Sequence, residues 1–140
     1  MYLTYSEYTS MGGTVDAATF DDYEFQAEAL INWYTFNRLA NDTNYPCAVK
    51  RLVKYLVDMA KKQADALNLG GTLSASNEGA GVHITQQSND GVSTSYNGMA
   101  ASDLFATCRK QMLEAMPMYL HGVMNEMGRY LLYRGLYPGE

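Results

Sequence analysis

Charge is scarce in this sequence. Asp, Glu, Lys and Arg make up 18% of its 140 residues, against about 25% in ordinary soluble domains. With fewer charges to hold neighbouring surfaces apart, self-association becomes plausible. Basic charge is scarcer still: 10 Lys and Arg face 15 Asp and Glu, a net charge of −5. A protein that grips DNA phosphates carries the opposite balance. The acidity argues against a dedicated nucleic-acid binder and suits a surface past which DNA slides without sticking. No run approaches the roughly 18 apolar residues of a membrane-spanning helix. The opening Met1-Tyr2-Leu3-Thr4-Tyr5 lacks the basic region and apolar run of a secretory signal. The expectation is a protein kept in a cytoplasm, or packed into a particle assembled there.

Groups suited to catalysis are also few. There are two cysteines, Cys47 and Cys108, with no CxxC spacing. They read as small buried apolar residues in a reducing compartment, with a single disulfide or a reactive thiol as the alternatives. The only histidines are His83 and His121, and nothing places either beside a cysteine and a third orienting group. His83 reads as a strand surface residue and His121 as a helix-end residue. Asp21, Asp22, Glu24 and Glu28 lack the loop spacing of a calcium site and read as a solvated acidic face. The doublets Gly12-Gly13 and Gly70-Gly71 are not followed by the Lys-Ser or Lys-Thr of a phosphate loop, so they read as helix terminators. Lys50, Lys54 and Lys61 fall near one helical face, which reads as solvated, with contact to DNA or lipid phosphate, or pairing with acidic residues of an adjacent subunit, as the alternatives. The expectation is no enzyme, no cofactor and no metal.

The chain does contain amphipathic helices. Thr4-Tyr5-Ser6-Glu7 has capping-box spacing, predicting a helix over about 4–11. Asp16 caps a second, with Phe20, Tyr23, Ala27, Leu30, Ile31 and Tyr34 in one stripe over 16–39. After the turn cluster at 41–46, Val49, Leu52, Val53, Leu56, Ala60, Ala64 and Leu67 predict a third helix over 46–68, packed antiparallel on the second. Ser102-Asp103 opens a fourth over 102–127, kinked or restarted at Pro117.

Residues 70–98 are rich in Gly, Ser, Thr and Asn. Two β-prone runs around Asp90-Gly91 predict a hairpin over about 81–97, polar on both faces and so projecting from the bundle. Beyond 128, Tyr130-Leu131-Leu132-Tyr133-Arg134-Gly135-Leu136-Tyr137 is too apolar to stay undocked. It must dock on its own domain or add as a strand or arm to a neighbour, and the second reading, an extended arm over 128–140, is slightly preferred. Twelve tyrosines and nine methionines also favour contact surfaces. The fold class expected is mainly α, a single domain over 1–140 built as a small helical bundle with a projecting β-hairpin and a C-terminal arm. The candidate contact residues are Tyr96, Tyr130, Leu131, Leu132, Tyr133, Arg134, Leu136 and Tyr137.

Several stretches resemble one family. Met1-Tyr2-Leu3-Thr4-Tyr5-Ser6-Glu7-Tyr8 running to Gly12-Gly13-Thr14, then Phe20 and Tyr34-Thr35-Phe36-Asn37-Arg38-Leu39, are similar to the opening of head–tail connector, or adaptor, proteins of tailed bacteriophages. The segment Ser88-Asn89-Asp90-Gly91-Val92-Ser93-Thr94-Ser95-Tyr96 and the ending Leu131-Leu132-Tyr133-Arg134-Gly135-Leu136 also resemble segments of those proteins. The resemblance implies a structural virion subunit at the head–tail junction, assembled in the host cytoplasm. It implies a homo-oligomeric, dodecameric ring beneath the portal protein, extending the DNA channel without sequence-specific contacts and offering a platform to the next connector or tail protein. The hairpin and tail would then supply exchangeable contacts for a head-to-tail ring. The competing reading is a small cytosolic helical regulatory module acting as a dimer.

Overall fold

The structure, a computed structural model, describes residues 1–75, 86–89, 92–95 and 101–136. Its elements are α1 (Tyr5–Ser10), α2 (Ala17–Tyr34), α3 (Cys47–Ala75), β1 (Gln86–Asn89), β2 (Val92–Ser95) and α4 (Ala101–Leu120). The protein is mainly helical. The chain divides into two compact units, Met1–Lys61 with Gln111–Glu140, and Lys62–Lys110.

Both early helix starts follow from local chemistry. Thr4 accepts from the Glu7 N–H while the Glu7 carboxylate accepts from the Thr4 N–H, closing the capping box. Asp16 accepts from the N–H groups of Ala18 and Thr19 at 3.1 Å each. The carbonyl of Pro46 receives the first N–H groups of α3, from Val49 and Lys50.

The first unit holds the core. Phe20, Ala27 and Ile31 of α2 meet Val49, Leu52, Val53, Leu56 and Val57 of α3 and Ala115, Met116 and Leu120 of α4. Tyr2, Leu3 and Tyr8 join the same core, each large side chain contributing roughly 1.5–3 kcal/mol on burial. Tyr8 is a hub: its hydroxyl donates to Asp58 at 2.8 Å and accepts the N–H groups of Thr14 and Val15. Gly13 lies so close to that ring that a Cβ there would come within 2.2 Å of it.

In the second unit, β1 and β2 pair antiparallel, Gln86 opposite Ser95 and Asn89 opposite Val92. The other residues of the expected hairpin, 81–85, 90–91 and 96–97, lie outside the described residues.

Four expectations need correcting. α2 stops at Tyr34, five residues short of 39, because the chain turns over there in a Schellman arrangement. Phe36 adopts φ 57°, and the N–H of Asn37 reaches back to the carbonyl of Asn32 at 2.8 Å. α3 runs past Gly70-Gly71 to Ala75; helical glycines cost only about 1 kcal/mol each. α4 carries Pro117 inside it and ends at Leu120, not 127. With three helical residues left beyond the proline, its missing N–H disturbs only the last turn.

The expected extended arm is the fourth. Residues 128–136 fold back on their own unit, and Leu131 is fully buried in its core. Residues 137–140 lie outside the described residues. Asn125 drives the reversal: its side-chain oxygen accepts the N–H groups of Met127 and Arg129 at 3.1 and 2.9 Å. Gly128 takes φ 73°, and Met124 bridges to Tyr130.

Candidate functional site

The turn after α2 and the returning C-terminal segment meet at Arg38. Its guanidinium is buried, and Nη1 donates to the carbonyls of Tyr130 and Leu131 at 3.4 Å each and to that of Tyr133. Nη2 donates to the carbonyl of Gly135 at 2.7 Å. The fork geometry of guanidinium allows one side chain to gather carbonyls along six residues of chain. The same group sits 5.6 Å from the Phe36 ring centre and 5.9 Å from that of Tyr133, within cation–π range.

Asn125 ties the other side of the junction. Its Nδ2 donates to the backbone carbonyl of Arg38 at 2.9 Å. The Asp42 carboxylate accepts the Glu126 N–H at 3.2 Å, and Glu126 accepts the Thr43 hydroxyl at 3.0 Å and the Asn44 N–H at 2.7 Å. Burial pushes the Asp42 carboxyl above its ordinary range, the Glu126 N–H pulls it back, and the charge of Glu126 pushes it up again. Hydrogen bonds from Asn44 and Thr43 hold Glu126 below its ordinary range.

Beside this junction opens a cleft of about 530 Å³. Arg129 and Arg134 supply cationic walls, Phe36, Met127 and Leu136 apolar ones, and Asn37 and Asn41 amide groups. A smaller hollow of about 230 Å³ lies next to Tyr34, Phe36, Pro117, Leu132 and Arg134. Phe36 and Arg134 border both. Phe36 is a non-glycine residue in left-handed backbone, a conformation costing of order 1–2 kcal/mol. Such strain concentrates at functional positions.

A second feature faces outward from α2. Phe25 is 70% exposed and Trp33 69%. They share with exposed Ala29 a face opposite the buried Phe20, Ala27 and Ile31. Met118 and Leu136 are likewise exposed, at 79% and 83%.

The terminal contact candidates divide. Leu131 is wholly buried in the core of this chain; Leu132 is half-buried; Tyr130, Tyr133, Arg134 and Leu136 are exposed. Tyr96 and Tyr137 lie outside the described residues, as does His83. His121 is exposed just beyond the end of α4. Cys108 is buried, whereas Cys47 is exposed on the first turn of α3, and both are free thiols.

Charged residues also depart from expectation. Glu24 is no part of a solvated face: it is buried and accepts the N–H groups of Tyr2 and Leu3 at 2.5 and 3.4 Å. The lysine face pairs within the chain. Lys50 meets Glu7 at 2.5 Å, Lys54 meets Asp58 at 2.7 Å, and Lys61 donates to the Thr14 carbonyl at 3.0 Å. Lys50 and then Thr4 hold the Glu7 carboxyl down at about 2. Burial and then Asp58 raise the Tyr8 hydroxyl.

Among the described residues, no three His, Cys, Asp or Glu side chains gather as a metal site would require. Nor is any described helix long and apolar enough to cross a membrane. Sequence reasoning met Phe36 and Arg38 only as members of a resembling segment and passed over Asn125, because each acts on chain distant in sequence or in a backbone conformation its residue type does not announce. No family model matches the chain, no curated protein matches it, and no solved structure matches it.

Proposed function

We propose that the chain is a head–tail connector subunit of a tailed bacteriophage. It oligomerises into a ring below the portal, extends the DNA channel and presents a platform for tail attachment. The observation that carries this reading is the junction at Arg38. The segment Tyr34–Leu39 and the segment Leu131–Leu136 both resemble connector proteins, and Arg38 of the first holds the carbonyls of Leu131, Tyr133 and Gly135 in the second. Segments that carry the resemblance thus build one physical unit.

Two further features support it. Large apolar side chains stand exposed on α2 and on the returning segment, an uneconomical surface for a chain that acts alone. The net charge of −5 gives a channel wall that does not retain DNA. The assembly mechanism differs from an arm exchanged between subunits: the buried Leu131 keeps the returning segment at home, and only its outward residues are offered to partners. The paired β1 and β2 strands would contact a neighbouring subunit.

The test is attachment. DNA-filled heads that carry the portal and lack this component are incubated with the purified chain and sedimented. The expected result is cosedimentation and restored capacity to accept tails. A chain that neither binds heads nor restores tail attachment overturns the reading, and a stable dimer indifferent to portals would favour the regulatory module.

A further inference from the structure

We infer that the cleft beside Arg129 and Arg134 receives the acidic, aromatic face of α2 from a second copy of the chain, with Asp22 and Phe25 entering it. The inference rests on the connector reading and specifies the contact between its subunits.

The cleft has the size of a pocket built for a guest, since such pockets run from roughly 300 to 1,000 Å³, and this one holds about 530 Å³. Its chemistry calls for a guest with an apolar body and negative charge. Phe36, Met127 and Leu136 offer the apolar wall, and the exposed Arg134 a cationic one. The Asp42 carboxylate at the wall is buried and already accepts the Glu126 N–H, so it does not offset the outward charge that Arg134 presents.

The first half of α2 carries that guest. Phe25 stands 70% exposed, and Asp21 and Asp22 are exposed with no ion-pair partner among the described residues. Asp22, Phe25 and Ala29 follow at spacings of three and four, which places them on one helical face. A phenyl ring and a carboxylate one turn apart match a cleft with apolar and guanidinium walls.

The two surfaces cannot meet within one molecule. α2 is continuous from Ala17 to Tyr34, and at 1.5 Å per residue Asp22 lies about 18 Å along the axis from Tyr34. The cleft opens just past that end, at Phe36. A rigid helix thus holds guest and host apart, and a second copy is the occupant that satisfies both. Complementary but different patches joined head to tail propagate around a closed ring.

The test is a charge swap on the full chain, read as native mass by light scattering across a concentration series. Circular dichroism of each variant checks that the helices persist. Wild type should form a closed oligomer of more than two copies. Asp22→Arg and Arg134→Glu, each placing like charges together, should raise the concentration of half-assembly by about tenfold or more. Asp22→Arg with Arg134→Glu in one chain should restore it, and Phe25→Ser should fail to assemble without any charge change. Single variants that assemble as wild type does, or a double variant that is not rescued, overturn the pairing. A wild-type chain that stays monomeric or stops at a dimer also overturns it. Attachment to portal-bearing heads is measured separately, so the connector reading can survive failure of this contact or fall independently of it.

Discussion

Replacing Arg38 with Met keeps an unbranched apolar stem in place of the arginine methylenes and removes the guanidinium. The structure sets the cost. Two of its four carbonyl contacts are close, to Tyr133 and, at 2.7 Å, to Gly135, while those to Tyr130 and Leu131 are long at 3.4 Å. A hydrogen bond to a charged group contributes about 1.5–3 kcal/mol net, so the close pair is worth about 3–6 kcal/mol. The adjoining cleft admits water to the abandoned carbonyls, which places the loss near the lower figure, about 3 kcal/mol. Against a total stability of about 5–15 kcal/mol that is a large share. At roughly 3–5 °C per kcal/mol for a domain of this size, the thermal midpoint should fall by about 10–15 °C. Arg38→Lys keeps charge without the fork and should lose about half as much. Trypsin should also cut earlier at Arg129 and Arg134 in both variants, since the returning segment is released first. Melting of Arg38→Met within about 3 °C of wild type would show that burial of Leu131 holds the segment without the clasp.

Gly13→Ala puts a methyl group within 2.2 Å of the Tyr8 ring and should cost about 1–3 kcal/mol in urea unfolding; an unchanged midpoint would mean that the ring moves aside freely. Glu7 titrates at about 2 when folded, below its ordinary 4.5. Its contribution is complete above about 4.5 and fades as pH falls toward about 2. Glu7→Gln should therefore flatten the acid limb of stability against pH, and an unaltered limb refutes the Lys50 pairing as its source. Phe36→Gly relieves left-handed backbone at φ 57° and gives up an exposed Arg38 contact of about 0.5–1 kcal/mol. Stability should stay level or rise by up to about 1 kcal/mol, while light scattering shows weaker assembly. A loss exceeding about 1 kcal/mol would place Phe36 in the fold and not at the contact.

What was legible in the sequence was local. Thr4 and Glu7 announce a capping box, Asp16 a cap, and Phe20, Ala27 and Ile31 a buried stripe, and all three stand in the structure. What was not legible depends on distant partners. Glu24 reads as one more acid on a polar face, yet the backbone N–H groups of Tyr2 and Leu3 draw it inside. The apolar ending reads equally as an arm or as core. The choice is made by Arg38 and Asn125, whose partners lie about ninety residues away in sequence, beyond the reach of any periodicity. The end of α2 was hidden because a helix terminus is usually flagged by glycine, and here Phe36 occupies that place.

That substitution links stability to assembly. A glycine at the end of α2 would cap the helix more cheaply, but it would leave the cleft without its aromatic wall and Arg38 without the ring it faces. Keeping phenylalanine there stores strain in the turn, and the clasp on the returning segment is what holds that turn in place. The exposed Tyr133 and Leu136 depend on the same clasp, since Arg38 fixes the carbonyl of Tyr133 and that of Gly135, just before Leu136. One buried guanidinium therefore positions both the host cleft and the outward side chains around it. Its loss should abolish assembly under conditions where the helical core still folds, which separates this arrangement from one in which Arg38 serves stability alone.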